Sequence, residues 1–286
     1  MRRKTGATPY LLVLPGFVWL LLFFVLPAVL IASLSLQSGN YETGFRFTWH
    51  WANYADAFSF YHTQLIRSIV YGLIVTGLCL VLAYPVAYWI AFYGGRHKST
   101  YLFLLLLPFF VSFVIRTAAW KFILTDNGIL LGPLKSAHLL PQSFHLLATQ
   151  YAVIGGLTYN FLPFMVLPLY VALERIEPDL LEAAADLYSN GRQVLLRVIF
   201  PLSIPGVFAG ILLTFVPAAA DFVNATILGG TNTTMIGNVI QFEYLTANDY
   251  PLASALSFVV TAALLIGIFA YAKALGTEEA MEMAAA

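Results

Sequence analysis

The sequence predicts an all-α polytopic membrane protein with six transmembrane helices. Composition is the first ground. Of the 286 residues, 60% are hydrophobic and only 10% are charged, where a soluble domain carries about a quarter charged residues. Length of the apolar runs is the second. Six stretches reach the roughly 20 residues that a membrane-crossing helix needs: about Tyr10–Leu36, Ser68–Tyr93, Tyr101–Leu124, Leu146–Leu173, Pro201–Gly230 and Leu252–Leu275. Charge asymmetry is the third. Alternate loops hold Arg2, Arg3, Lys4, Arg96, Lys98, Arg175, Arg192 and Arg197, against Arg46, Arg67 and Lys135 in the others. The basic side is the cytoplasmic side, so both termini are expected in the cytoplasm. Residues 1–286 are read as a single transmembrane domain.

The first span follows Arg2-Arg3-Lys4, as a signal peptide would. Its apolar run is longer than an h-region of 7–15 residues and lacks an A-x-A site, so it is read as a retained span. The loop Gln37–Arg67 is rich in aromatics, among them Trp49, Trp51, Phe58 and Phe60, which fits an interfacial belt or a collar for a delivery protein. Cys79 is the single cysteine and is expected to be a small apolar core residue. Asp126-Asn127-Gly128 reads as a turn. His138 and His145, with no acids or cysteines at ligand spacing, make no metal site. Prolines and glycines interrupt the later spans (Pro163, Pro168, Pro205, Gly206, Gly210, Pro217). Such breaks are tolerated where freed backbone groups meet protein or a water-filled path.

Two charges fall inside spans, Arg116 in the third and Asp221 in the fifth. An ionised side chain at depth costs about 2.5 to 3.5 kcal/mol on insertion scales, so it is paired or functional. Three readings stand. Both charges lie near the outer interface and snorkel, or Arg116 and Asp221 form a structural pair, or Asp221 lines a translocation path near Asn224 and Thr226, with Arg116 as a further candidate on that path. Glu243 and Asp249 follow in a loop without Lys or Arg, which favours handling of a cation, with Phe222, Phe242 and Tyr244 available for cation–π contact.

The most charged run is Glu174–Phe200, ERIEPDLLEAAADLYSNGRQVLLRVIF, between the fourth and fifth spans. Pro178 suits the first position of a helix, and Glu177 and Asp179 suit its positive end. Leu180, Leu181, Ala184, Leu187 and Tyr188 then define one apolar face. Asn190-Gly191 reads as a stop, and a second helical run from Arg192 ends at Pro201. This is more ordered chain than the 2 to 8 residues that suffice to join two spans.

Glu182-Ala183-Ala184 with Val198 and Pro201 resembles the EAA motif of permease subunits of binding-protein-dependent ABC importers. Tyr188, Val198 and Phe200 depart from that motif, and Gly191 stands in for its glycine. Wider stretches are similar to spermidine/putrescine permeases of the B type, including NFLPFMVLPLYVALERIEPDLLEAAADL, PLSIPGVFAGILLTFVPAAADFVNATILGG and MIGNVIQFEYLTANDYPLASALS. The resemblance implies the MetI-like ABC importer permease fold in a bacterial inner membrane. It also implies a second homologous permease, two cytoplasmic ATPase subunits and an extracytoplasmic substrate-binding protein as partners. Leu180, Leu181, Glu182, Ala183, Ala184, Leu187, Tyr188, Gly191 and Pro201 would form the coupling element for the ATPase.

The chain itself shows no Walker A motif, catalytic triad or zinc-type cluster. It is therefore expected to be no enzyme and to bind no cofactor, with ATP held by the partner subunit. Zero formal net charge gives no reason to expect nucleic acid. Polyamine import is the leading reading. The alternatives are the same machine for another solute (iron, thiamine, sulfate, an aminophosphonate or a sugar), or a secondary transporter. The last would ask for more intramembrane acids or an inverted repeat.

Overall fold

The computed structural model describes residues 8–187 and 190–274. Thirteen α-helices and one β-hairpin make up its regular elements, apart from short 3₁₀ and π turns. α1 (Thr8–Leu20) and α2 (Leu26–Ser35) are joined by a π turn at Leu21–Val25. β1 (Gln37–Asn40) and β2 (Gly44–Phe47) pair antiparallel, with Gln37 opposite Phe47. Then come α3 (Ala52–Tyr93), α4 (Lys98–Leu106), α5 (Phe113–Leu124), α6 (Leu131–Ser136) and α7 (Gln150–Glu174). They are followed by α8 (Pro178–Leu187), α9 (Gly191–Val194), α10 (Phe200–Ala219), α11 (Val223–Leu228), α12 (Ile236–Leu245) and α13 (Tyr250–Ala274). Five helical stretches are long and apolar enough to cross a membrane, or six when the bent pair of α4 and α5 counts as one span.

The chain forms two compact units, residues 1–62 with 239–262 and residues 63–238 with 263–286. In the first, Asn53 Nδ2 donates to the carbonyls of Ser35 and Gln37 at 3.0 and 2.8 Å. Those bonds tie the start of α3 to the foot of the hairpin, inside the stretch read as a loop from sequence. At 42 residues, α3 is about 63 Å long at 1.5 Å per residue, twice the hydrocarbon thickness. Also in this unit, Tyr61 donates its hydroxyl to Glu243 Oε1 at 2.6 Å, and Asp249 Oδ1 accepts from Leu252 N at 3.0 Å. Both acids are held by neutral donors, and among the described residues neither forms an ion pair with a basic side chain.

The second unit is built on α7. Its Val153, Leu157, Met165, Val166, Leu169 and Leu173 are fully buried. Val75, Cys79, Ala83 and Ala87 of α3 recur every four residues as a buried stripe in the same cluster. Small side chains at this spacing let membrane helices approach closely, where apolar burial against lipid gives little drive. α10 packs on α7 most extensively. A side chain on Gly206 would meet the Pro168 carbonyl at 2.7 Å, so only glycine allows that contact.

Besides the early start of α3, three further boundaries differ from those read in the sequence. Pro201 ends nothing: the helix runs from Gly191 to Ala219 through a π turn at Leu195–Ile199. A widened turn of this kind absorbs the proline's missing donor and its ring. The third span is broken by 88° between its halves. Pro108 sits in a tight 3₁₀ turn at Leu107–Phe110, after which Val111 is extended. The fifth stops at Ala219, beyond Pro217, and restarts as α11.

Candidate functional site

Two sets of residues carry candidate chemistry, both in the second unit. The first is the run after α7. Pro178 opens α8 with Asp179 in its first turn, as the proline's fixed φ and the helix dipole favour. The apolar stripe seen in the sequence divides here. Ala184 is buried, and Leu181 packs against the core cluster that holds Leu173, Ile176 and Ile199. Leu180 and Leu187 point outward, 48% and 78% exposed, beside the exposed Glu182 and Ala183. Tyr188 lies outside the described residues. Asn190 accepts from Arg192 N at 3.0 Å through Oδ1, so Asn190-Gly191 starts a helix rather than only stopping one. Lys98 pairs with Glu174 at 3.0 Å, holding the α3–α4 turn against the end of α7.

The second set gathers where the third and fifth spans break. Asp221 Oδ2 accepts from the backbone N–H of Asn224 at 2.8 Å and from its Nδ2 at 3.2 Å. It thereby satisfies a donor in the first turn of α11, as a capping aspartate does. Asn160 of α7 donates from Nδ2 to Asn224 Oδ1 at 3.0 Å and to Thr117 Oγ1 of α5 at 3.1 Å. Asn160, Thr117 and Asn224 are buried to 1% exposure or less, and Asp221 to 7%. Asn238 Nδ2 donates to the Phe222 carbonyl at 2.9 Å and to Thr226 Oγ1 at 2.7 Å. The break's freed backbone is thus bound by side chains, which a broken membrane helix requires. Gly156 permits the approach of α7, since a side chain there would strike Leu228 and come within 2.9 Å of Asn224 Oδ1.

Arg116 takes no part in this network. Its guanidinium lies over the rings of Phe109 at 4.7 Å and Phe113 at 5.8 Å. One ring precedes the break and the other follows it, so the cation bridges the two halves of the span. The ion pairs among the described residues are Lys98–Glu174, Lys135–Asp126 and His145–Asp126; Arg116–Asp221 is not among them. Reading from sequence singled out Asp221, Asn224 and Arg116 but passed over Asn160, Thr117 and Asn238. Asn160 carried a usable signal, since an amide inside an apolar run is costly unless it is bonded.

With this geometry in hand, known proteins place the chain. A profile of the family described as "Binding-protein-dependent transport system inner membrane component" matches residues 83–274. The chain belongs to that family. As a family member it is a multi-pass inner-membrane component of a transport system. It is 37% identical over 259 residues to the spermidine/putrescine transport system permease protein PotB of Haemophilus influenzae, covering 90% of this chain and 91% of that one. It is 35% identical over 257 residues to PotB of Escherichia coli K12, covering 90% and 94%. The fold matches that of a bacterial ABC transporter involved in import of the acidic polysaccharide alginate, with a TM-score of 0.71, 20% identity and 95% of both chains covered.

Proposed function

We propose that this inner-membrane component is a permease subunit of an ATP-driven importer of spermidine and putrescine. The observation that carries the substrate is the likeness to PotB proteins of two species over nine-tenths of the chain. In this reading a second homologous permease completes the path. Two ATPase subunits bind and hydrolyse ATP on the cytoplasmic side, and an extracytoplasmic binding protein delivers the polyamine. The excess of Lys and Arg in the loops that hold Arg96, Arg175 and Arg192 supports a cytoplasmic position for α8 and for both termini.

The exposed strip of Leu180, Ala183 and Leu187, with Glu182 beside it, is the face offered to the ATPase as a helix laid in a groove. Leu181 and Ala184 hold the helix to its own bundle. Asp221 and Asn224 sit where a span unwinds, as the cargo sites of many secondary transporters do. A polyamine crossing a low-dielectric path requires counter-charge, and Asp221 supplies one carboxylate.

The test is uptake of radiolabelled putrescine and spermidine into proteoliposomes that hold the whole complex, with binding protein and internal ATP. ATP-dependent accumulation of either polyamine is expected. Accumulation of another solute with none of the polyamines would move the substrate assignment while leaving the importer class standing. Accumulation driven by an ion gradient without ATP would overturn the class.

A further inference from the structure

Of the described charged residues that are buried, Arg116, Lys135, Asp221 and Glu243, three are satisfied. Lys135 meets Asp126 at 3.0 Å, Asp221 accepts from Asn224, and Glu243 accepts from Tyr61. Arg116 is the exception. It is 9% exposed, its Nε is buried with no hydrogen-bond partner, and no described residue forms an ion pair with it. The rings of Phe109 and Phe113 attract its charge. Neither ring carries an oxygen or nitrogen that could accept a conventional hydrogen bond from the Arg116 N–H groups.

A cavity of about 230 Å³ opens on Arg116, walled by Val111, Ile115, Ala119, Trp120 and Tyr159. Beside it runs one side of α5. Ile115 is 62% exposed and Phe122 74%, with Ala119 exposed between them and Val111, at 45%, just ahead. The opposite side of α5, with Thr117 and Leu124, is buried within the chain. Thus α5 presents an apolar strip with a small residue at its centre and one uncompensated cation at its edge.

We propose that a helix of the second, homologous permease packs on this strip and that a carboxylate on it enters the cavity and accepts hydrogen bonds from Arg116. The proposal rests on the paired-permease reading above. The missing partner is an acceptor, so a protonated polyamine, which has only donors, does not fill the place. A carboxylate suits it because a guanidinium presents parallel N–H groups to two oxygens. Ala119 lets another helix come within the 8–10 Å at which helices pack. A buried guanidinium left unpaired in an apolar setting costs several kcal/mol, and the carboxylate removes that cost only when both subunits are present. The pairing therefore also selects the correct partner.

The experiment co-expresses the complete complex and recovers it through a tag on this chain. Arg116→Gln is expected to reduce the recovered second permease tenfold or more, while Arg116→Lys keeps most of it. The level and tryptic pattern of this chain in the membrane report its own folding. Arg116→Glu is expected to abolish uptake, and selection for restored uptake is expected to return an Asp or Glu of the second permease changed to Lys or Arg. Such a charge-swapped pair supports the proposal even if Arg116→Gln accumulates poorly. Full recovery of the second permease with Arg116→Gln overturns it. If uptake then falls, Arg116 acts on the path. If native mass spectrometry then shows loss of a bound anionic lipid, the acceptor is a lipid phosphate. Wild-type chain recovered with no second permease at all would instead sink the paired-permease reading itself.

Discussion

At Asp221 a single carboxylate holds the restart of a broken helix and supplies the negative charge nearest the break. The two roles separate by substitution. Asp221→Asn keeps an oxygen that accepts from Asn224 N but removes the charge, whereas Asp221→Ala removes both. Loss of a capping side chain costs about 0.5 to 2 kcal/mol, and an unsatisfied buried donor adds to that. Asp221→Asn is expected to leave the melting temperature of the purified complex near wild type while cutting polyamine uptake. Asp221→Ala is expected to lower both. Equal uptake by wild type and Asp221→Asn would leave Asp221 as a cap alone.

A second residue-scale device lies in the segment after α5. There Asp126 accepts from Lys135 at 3.0 Å and meets His145 Nδ1 at 2.6 Å. The Lys135 hydrogen bond, followed by the smaller effect of His145, holds its carboxyl below the ordinary value of 3.8. A carboxylate whose folded pKa is depressed adds stability above its unfolded pKa and loses it as pH falls through the folded value. Hydrogen-exchange protection of residues 126–145 is therefore expected to fall as pH drops below the ordinary carboxylate range. In Asp126→Asn the protection is lower throughout and the acid step is absent. A loss of protection centred near pH 6 would contradict this account.

At the scale of the element, α8 shows how one amphipathic helix serves two surfaces. The sequence presents Leu180, Leu181, Ala184 and Leu187 as one apolar face, but the helix arrives at the bundle rotated, so the face is shared. Leu181 is committed inward and Leu187 outward. Leu181→Ala is expected to destabilise the chain by about 1 to 3 kcal/mol through lost burial, seen as a lower melting temperature. Leu187→Ala is expected to leave melting unchanged and to reduce co-purification of the ATPase. Glu182→Lys belongs with Leu187. If Leu187→Ala and Glu182→Lys both retain the ATPase and full uptake, α8 is a connector only.

At the scale of the whole molecule, orientation is the property on which partner placement depends. Cys79 is buried and unpaired, so Cys79→Ala gives a background for introduced cysteines. A membrane-impermeant maleimide is expected to label Ser136→Cys in intact cells. It is expected to label Ala183→Cys only after the membrane is opened. The reverse pattern would invert the topology and remove α8 from reach of a cytoplasmic ATPase.

What the residues determined by themselves was class and order. Apolar length sets where a helix crosses a bilayer, because an unpaired peptide group in hydrocarbon is too costly to leave exposed. The spans were accordingly legible, except where Pro108 and Pro217 lie. A proline announces a lost hydrogen bond, but the surroundings decide between a break, as after Pro108, and a continuous helix, as through Pro163, Pro168 and Pro201. The charged run after the fourth span was legible for the same reason, since charge and amphipathy at that spacing have no place in hydrocarbon. Partnership was decided only by tertiary structure. Asp221 and Arg116 stand out equally in the sequence. Packing gave the first a cap to make with Asn224 and left the second over two phenylalanine rings without an acceptor. The bonds of Asn160 to Thr117 and Asn224 join residues 43 and 64 positions apart. No local pattern encodes such a meeting, because it depends on how α5, α7 and α11 come together in space.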